Sequence, residues 1–246
     1  MTLLVAGGTK GIGLAIARYI ARPGDAVVLN YHSDERAAAD AVASLAADGI
    51  KASAVKADVG SIAGCEHLLA ETAKVHSGTL HIVHSAALIY PTTLLGADLA
   101  KFTGAIQTNG LSLLYLVQKA LPLLDRGSSI VFISSNGARN VISTTYGALG
   151  AGKALAEGLI RYLVPELAPR GIRINAVAPG LVHTTSVATM LGGNEEAAQK
   201  VVERAARTNP SGRETRDSDY ASVVEFLLSP AAEFVQGQVI SATGGA

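Results

Sequence analysis

The sequence predicts a single α/β domain in which a mostly parallel sheet is covered by helices on both faces. Short apolar runs such as LLVAGG and AVVLNY alternate with longer helical patterns along the whole chain. The runs are apolar throughout, which is typical of strands buried on both faces. Right-handed crossovers between such strands give a doubly wound sheet. No repeat or linker divides residues 1–246, so one domain is expected.

The strands and helices are expected to alternate in order. The predicted strands lie in LLVAGG, AVVLNY, KASAVKADV, LHIVHSAA, SSIVFISS, IRINAVAPG and GQVIS. Helical patterns follow each of the first five, including residues 103–124 after the fourth and the segment containing Lys153 after the fifth. Two helical stretches are expected between Leu181 and Glu233, where residues 183–213 form a substrate lid.

The composition excludes several classes of function. Twenty basic and twenty acidic residues cancel, so no nucleic-acid groove or anionic membrane patch is expected. The single cysteine, Cys65, excludes an intrachain disulfide and is expected to be a buried small side chain. No apolar stretch reaches the ~20 residues of a membrane span, and the apolar N-terminus is interpreted as a strand rather than a signal peptide. A soluble, cytoplasmic protein without a metal is expected, acting on a small molecule.

A glycine-rich loop follows the first strand directly. The stretch AGGTKGIG, residues 6–13, places Gly7, Gly11 and Gly13 between a strand and a helix. Glycine permits positive φ and close approach of the backbone to a ligand. The free N–H groups and the dipole at the helix N-terminus then favour a pyrophosphate. In this context the loop predicts a dinucleotide site.

The end of the second strand favours NADP(H) over NAD(H). An NAD site places an acid there for the ribose hydroxyls, whereas this chain has Asn30 and Tyr31. Asp34 lies further along and is interpreted as a helix cap. The side chains expected around a 2′-phosphate are polar or basic: Lys10, Asn30, His32 and Ser33.

Several motifs occur together in one order: the glycine loop, KADV, IQTNG, ISS, the segment YGALGAGK and NAVAPG. In this combination the chain resembles the short-chain dehydrogenase/reductase family over essentially its whole length. The resemblance implies a seven-stranded Rossmann-type sheet, a nicotinamide cofactor and assembly into homodimers or homotetramers. The helix Gly152–Val164, apolar on more than one face, suits burial against a partner.

The resemblance also implies residue roles. Lys153 would hold the nicotinamide ribose and lower the pKa of a tyrosine, Ser135 would hydrogen-bond the substrate oxygen, and Asn109 would support a water chain to Lys153. Asp58 and Val59 would meet the adenine. The cofactor-binding positions implied lie in the loops that follow strands: Gly7, Thr9, Lys10, Gly11, Ile12, Gly13, Asn30, Tyr31, His32, Ser33, Asp58, Val59, Ser85, Ala86, Lys153, Pro179, Gly180, Val182 and Thr184.

The chain departs from the family pattern at three motifs. Ala6 and Thr243 replace a usual threonine and a usual acid. His84-Ser85-Ala86-Ala87 replaces an Asn-Asn-Ala-Gly type turn, and His84 is interpreted as a hydrogen-bonded structural histidine.

The spacing of tyrosine and lysine is the most informative departure. Tyr146 and Lys153 are seven positions apart, and Leu149 stands where the family's usual four-position spacing puts tyrosine. Seven residues advance about 700° around a helix and about 10.5 Å along it, so both residues still share a face. The glycines Gly147, Gly150 and Gly152 would let the helix start be irregular.

A displaced tyrosine suits reduction of a conjugated double bond, because the enolate oxygen lies further from the hydride acceptor than a carbonyl oxygen does. The spacing, NYHSDERAAA and ARTNPSGR resemble the enoyl-acyl-carrier-protein reductase branch of the family. That resemblance implies NADPH-dependent reduction of an acyl-carrier or CoA enoyl thioester, in fatty acid or polyketide metabolism. A carbonyl reductase using Ser135, Tyr146 and Lys153 is the first alternative. A catalytically impaired NADP(H)-binding sensor or partner protein is the second.

Overall fold

The computed structural model describes residues 1–246 as one seven-stranded parallel sheet with helices on both faces. The strands are β1 Thr2–Ala6, β2 Ala26–Tyr31, β3 Lys51–Lys56, β4 Leu80–His84, β5 Ser129–Ile133, β6 Arg173–Pro179 and β7 Val239–Ala242. The helices are α1 Gly11–Ile20, α2 Glu35–Ala47, α3 Ile62–Val75, α4 Leu99–Ile106, α5 Ser112–Ala120, α6 Gly147–Leu167, α7 Thr185–Met190, α8 Glu195–Thr208 and α9 Asp217–Leu228. The predicted doubly wound fold is confirmed.

The strand order β3-β2-β1-β4-β5-β6-β7 reverses direction between β1 and β4. Ligands of such sheets bind outside the carboxyl ends of the strands at this reversal. The glycine loop after β1 and the turn after β4 lie side by side there, because Ser85 N donates to Ala6 O at 2.8 Å. The topology therefore places the dinucleotide motif at the expected crevice.

Alternation along each strand divides the core into two layers. Leu4 of β1 packs in a cluster with helices α3, α5 and α6, represented by Leu68, Leu116 and Ile160. The neighbouring Leu3 packs on the opposite face with α1, α2 and α9. Burial of both faces explains why the strands are apolar throughout.

Two helical regions differ from the prediction. The helical segment expected over 103–124 begins earlier, at Leu99, and consists of α4 and α5 joined by a π-helical turn, Gln107–Leu111. The region 181–233 holds three helices, α7, α8 and α9, instead of two. Side-chain caps explain the extra start, since Thr184 caps α7 and Asn194 caps α8. No helix combines the length and the apolar character that crossing a membrane requires.

Candidate active site

The glycine loop has a backbone that only glycine accommodates well. Gly7 and Gly11 have φ of 70° and 50°. A Cβ on Gly13 would lie 2.3 Å from the carbonyl oxygen of Gly7, so the first turn of α1 packs directly on the loop. Helix α1 begins without a side-chain cap or an acidic residue in its first turn. Its N-terminal N–H groups are therefore suited to an anion.

Asn30 does not face a ligand, and this expectation is wrong. Its side chain is buried beneath the glycine loop, where Oδ1 accepts from Gly7 N at 3.2 Å. Its Nδ2 donates to the carbonyl oxygens of Tyr31, Val55 and Ala57, at 3.2, 3.3 and 2.9 Å. Both polar atoms are thus occupied within the fold. Asn30 positions the glycine loop rather than a 2′-phosphate.

The other side chains expected around a 2′-phosphate lie at the surface. Lys10, His32 and Ser33 are exposed, and Tyr31 is half-buried. Lys10 Nζ donates to Asp34 Oδ2 at 2.9 Å. The interpretation of Asp34 as a helix cap is confirmed, because its Oδ1 accepts from Ala37 N at 3.0 Å at the start of α2.

The remaining predicted cofactor positions follow the same edge of the sheet. Asp58 is exposed after β3, and its Oδ1 accepts from Gly60 N at 2.9 Å. Val59 is buried in the core. After β4, Ala86 packs so closely on the glycine loop that a Cβ on Gly7 would lie 2.6 Å from its Cα. The loop after β6 reaches back, because Thr184 adjoins Gly11.

Tyr146 and Ser135 form the central polar contact of the site. Tyr146 is the residue before α6, and its hydroxyl lies 2.8 Å from Ser135 Oγ. Gly137 N donates to Ser135 Oγ at 3.1 Å and fixes this hydroxyl. A Cβ on Gly137 would lie 2.3 Å from the Tyr146 ring, so the glycine makes room for the phenol.

Lys153 is buried two turns further along α6. Its Nζ donates to Ile133 O at 2.7 Å and lies 4.4 Å from the centre of the Phe132 ring. Burial lowers the pKa of Lys153 to about 7. Tyr146 and Lys153 thus both reach the carboxyl end of β5. Leu149, at the usual tyrosine position, is buried.

The pKa of Tyr146 is raised, and the expectation that Lys153 lowers it is wrong in this geometry. Burial is the main cause, and the hydrogen bond from Ser135 opposes it. The ammonium of Lys153 donates to Ile133 O rather than to the phenol. The phenol is therefore held in its protonated form at neutral pH.

The glycines at the start of α6 provide close packing instead of an irregular start. The helix is regular from Gly147. A Cβ on Gly150 would lie 2.5 Å from Gly137 O, and one on Gly152 would lie 2.5 Å from the Cβ of Asn109. Small residues therefore let α6 approach the Ser135 loop and the π-helical turn.

Asn109 and His84 make hydrogen bonds within the fold, close to the end of β4. Asn109 Oδ1 accepts from Leu88 N at 2.8 Å and its Nδ2 donates to Leu88 O at 2.9 Å. Both ends of the amide thus bind the backbone after β4, and each keeps one further hydrogen-bonding position, so the expected water chain to Lys153 stays a prediction. His84 Nε2 lies 2.7 Å from Ser112 Oγ, and burial lowers the pKa of His84 to about 3. His84 is a hydrogen-bonded structural histidine, as expected.

Glu157 is the residue that sequence reasoning missed. It is the one carboxylate among the buried side chains, 5% exposed. Ser134 Oγ donates to its Oε1 at 2.6 Å, and Arg139 Nε donates to its Oε2 at 3.1 Å. Glu157 therefore ties together both ends of the loop that carries Ser135. The signal was a lone acid in the apolar run ALAEGLI, one turn after Lys153.

A family model described as Enoyl-(Acyl carrier protein) reductase matches residues 6–246, which is nearly the whole chain. The chain belongs to the short-chain dehydrogenase/reductase family. This family membership makes it an oxidoreductase. The assignment agrees with the sheet order and with the meeting of Ser135, Tyr146 and Lys153 at the end of β5.

Individual relatives cover almost the full length of the chain. An uncharacterized oxidoreductase of Methylorubrum extorquens is 35% identical over 98% of this chain and 96% of its own. NADPH-dependent aldehyde reductase 2 of Arabidopsis thaliana is 32% identical over 98% of this chain and 92% of its own. A short chain dehydrogenase of Burkholderia cenocepacia, solved in complex with NADP, has a TM-score of 0.87 at 26% identity and covers 99% of this chain and 96% of that one.

Proposed function

We propose that this short-chain dehydrogenase/reductase uses NADPH to reduce the C=C bond of an enoyl thioester carried by CoA or an acyl-carrier protein. The single observation that carries the proposal is the position of Tyr146. Its phenol is presented from the residue before α6, seven positions from Lys153, and Leu149 at the usual position is buried. A phenol displaced along the helix suits an enolate oxygen, which lies further from the hydride-accepting carbon than the oxygen of a simple carbonyl does. Such substrates belong to fatty acid or polyketide metabolism.

The cofactor assignment is supported by the residues at the β1–β2 edge. The uncapped start of α1 and the positive φ of Gly7 and Gly11 fit a pyrophosphate. Lys10 is a cation near the end of β2, where Asn30 and Tyr31 stand in place of the acid that an NAD(H) site places there for the ribose. The relatives that are named for NADPH or solved with NADP agree with this choice. When bound, NADPH supplies the hydride.

Tyr146 is proposed to serve the thioester oxygen. Its pKa is raised by burial, so the phenol is a hydrogen-bond donor at neutral pH. A donor held at the developing enolate oxygen stabilises charge that is absent from the substrate. The same phenol would protonate the enolate oxygen, the enol would tautomerise to the saturated thioester, and water would return a proton to the phenolate. The hydrogen bond with Ser135 keeps the hydroxyl in position between turnovers.

Lys153 is proposed to hold the ribose next to the nicotinamide. Its ammonium uses one proton on Ile133 O and lies against the Phe132 ring. An ammonium carries three donors, so it can bind ribose hydroxyls while staying anchored to β5. Residues 183–213, with α7 and α8, are proposed to cover the acyl chain and exclude water.

Reduction of a carbonyl is the second candidate, and the contact between Ser135 and Tyr146 favours it. Two hydroxyls 2.8 Å apart can both donate to one carbonyl oxygen. The relative named as an aldehyde reductase is consistent with this chemistry. The two candidates share the cofactor and differ in the carbon that accepts the hydride.

Initial rates of NADPH oxidation separate the two candidates. The purified protein is offered crotonyl and acetoacetyl pantetheine thioesters separately. Turnover of the crotonyl compound supports the proposal. Turnover of the acetoacetyl compound alone contradicts it in favour of carbonyl reduction. Tight NADPH binding with turnover of neither contradicts both activities.

We also propose that the chain assembles into a homodimer or homotetramer through the outer faces of α4 and α6. Leu99 at the start of α4 is 77% exposed, and Tyr162 of α6 is 79% exposed. Large apolar side chains exposed on neighbouring helices suit an interface. Light scattering on the purified protein tests this, and a monomer at micromolar concentration contradicts it.

A further inference from the structure

The ion pair between Lys10 and Asp34 joins the start of α1 to the start of α2. Lys10 is the last residue before α1, and Asp34 is the last residue before α2. The two oxygens of Asp34 have separate tasks. Oδ1 accepts from Ala37 N at 3.0 Å and caps α2, whereas Oδ2 accepts from Lys10 Nζ at 2.9 Å.

No other charged side chain nearby replaces Asp34 as the partner of Lys10. Lys56 pairs with Glu35 at 2.7 Å, so these two neutralise each other. Arg36 follows on α2 and also attracts Asp34. Lys10 is the cation of the glycine loop, and in this structure its ammonium already has a carboxylate partner.

A 2′-phosphate bound at this edge would compete with that carboxylate. The phosphate gains from Lys10 only when the ammonium leaves Asp34 or is shared with it. A dinucleotide without the phosphate makes no such demand on Lys10, so the competition affects NADP(H) and spares NAD(H).

We propose that Asp34 is a specificity-determining residue that limits the affinity for the 2′-phosphate by holding Lys10 in an ion pair. This inference rests on the proposed use of NADPH. The preference between NADP(H) and NAD(H) then depends on the competition between Asp34 and the 2′-phosphate for Lys10, as well as on direct contacts with the nucleotide. Both side chains of the pair are about half exposed, so the expected effect is modest.

Because the two oxygens of Asp34 have different partners, one substitution can remove the ion pair and keep the helix cap. Asp34→Asn keeps an oxygen for Ala37 N, because asparagine is an equally good helix cap, but it removes the partner of Lys10. Asp40→Asn is the matched control. Asp40 is exposed on the same helix and forms no ion pair, so its replacement removes the same charge without releasing Lys10.

The probes are adenosine 2′,5′-bisphosphate and adenosine 5′-monophosphate, titrated calorimetrically at one low ionic strength. Asp34→Asn is expected to lower the Kd of the bisphosphate by about two- to fivefold and to leave that of the monophosphate unchanged. Asp40→Asn is expected to change both much less. In a Lys10→Met background, Asp34→Asn should lose its advantage over Asp40→Asn.

The outcomes separate this inference from the proposed function. Equal effects of Asp34→Asn and Asp40→Asn, or an effect that persists without Lys10, overturn the inference alone. Weaker binding of the monophosphate to Asp34→Asn also overturns it, since Asp34 would then be a ribose ligand. A wild-type protein that binds both probes equally overturns the choice of NADP(H), and the inference with it.

Discussion

The two sides of the carboxyl edge hold their charged groups in opposite ways. Beside β1 and β2, the charges of Lys10 and Asp34 are exposed and neutralise each other in water. On the buried face of α6, Lys153 and Glu157 lie one turn apart and do not pair with each other. Lys153 binds the backbone of Ile133, and Glu157 binds Ser134 and Arg139.

The difference indicates that side-chain positions are fixed on the buried face of α6 and adjustable at the exposed edge beside β1 and β2. A buried polar group that loses its partner keeps its desolvation cost, so each contact of Lys153 and Glu157 should contribute clearly to the free energy of unfolding. An exposed ion pair exchanges partners easily. A reaction site needs the first kind of region, and a surface that admits a charged nucleotide can use the second.

Tyr146→Phe should produce the largest effect, because it removes the proposed donor at the substrate oxygen. We expect kcat to fall by roughly 10²–10⁴-fold, with the Kd of NADPH nearly unchanged. Tyr19→Phe, at the exposed far end of α1, is the control and should keep wild-type rates. Rates of NADPH oxidation measure both, and an active Tyr146→Phe variant removes Tyr146 from the mechanism.

Glu157→Leu should destabilise the fold, because Ser134 then loses its partner in the interior. The free energy of unfolding should fall by about 1–3 kcal/mol. Glu166→Leu is the control, since Glu166 is exposed on the same helix and forms no ion pair. Denaturant unfolding compares the two variants. Equal stabilities would mean that the buried contacts of Glu157 contribute nothing.

Lys153 should make stability depend on pH. Its pKa is about 7 in the folded protein because of burial, below the ordinary lysine value of 10.5. Between these values the unfolded chain binds more protons, so the contribution of Lys153 becomes more favourable as pH rises, by up to about 1.4 kcal/mol per unit. Below about pH 7 both states are protonated and the contribution is constant.

The measurement is the unfolding free energy of the wild-type protein minus that of Lys153→Met, without cofactor, from pH 6 to 10. Other titrating groups largely cancel in this difference. A flat difference above about pH 7 would show that the ammonium is not desolvated as its position implies.

Glu35→Gln should produce the smallest effect. Glu35 pairs with Lys56 at the surface near the start of α2. Because water replaces such a partner readily, we expect no measurable change in the unfolding midpoint or in kcat. Thermal unfolding and the standard rate assay check this. A clear loss of stability would remove the contrast between the two regions.

The sequence predicted most of what depends on local pattern. The seven strands, the glycine loop and the Asp34 cap follow from apolar runs, glycine spacing and the residue that precedes a helix. The direction of the Asn30 side chain could not be predicted, because carbonyls of β3 and a loop amide determine it.

The candidate site was predicted as a set of residues, but their contacts were not. Helical geometry placed Tyr146 and Lys153 on one face. Their separate partners, Ser135 and Ile133, depend on how closely α6 packs on β5. Glu157 was missed because a single acid in an apolar helix gives no sign of which loop it binds.

Competition between two substrates distinguishes reduction of the C=C bond from reduction of the carbonyl group. Crotonyl and acetoacetyl pantetheine thioesters are mixed in equal amounts with limiting NADPH, and the products are counted by mass spectrometry for the wild-type protein and for Tyr146→Phe. If the enzyme reduces the C=C bond through Tyr146, the wild type should give mainly butanoyl thioester and Tyr146→Phe should give little product of either kind. Mainly 3-hydroxybutanoyl thioester from the wild type would contradict it.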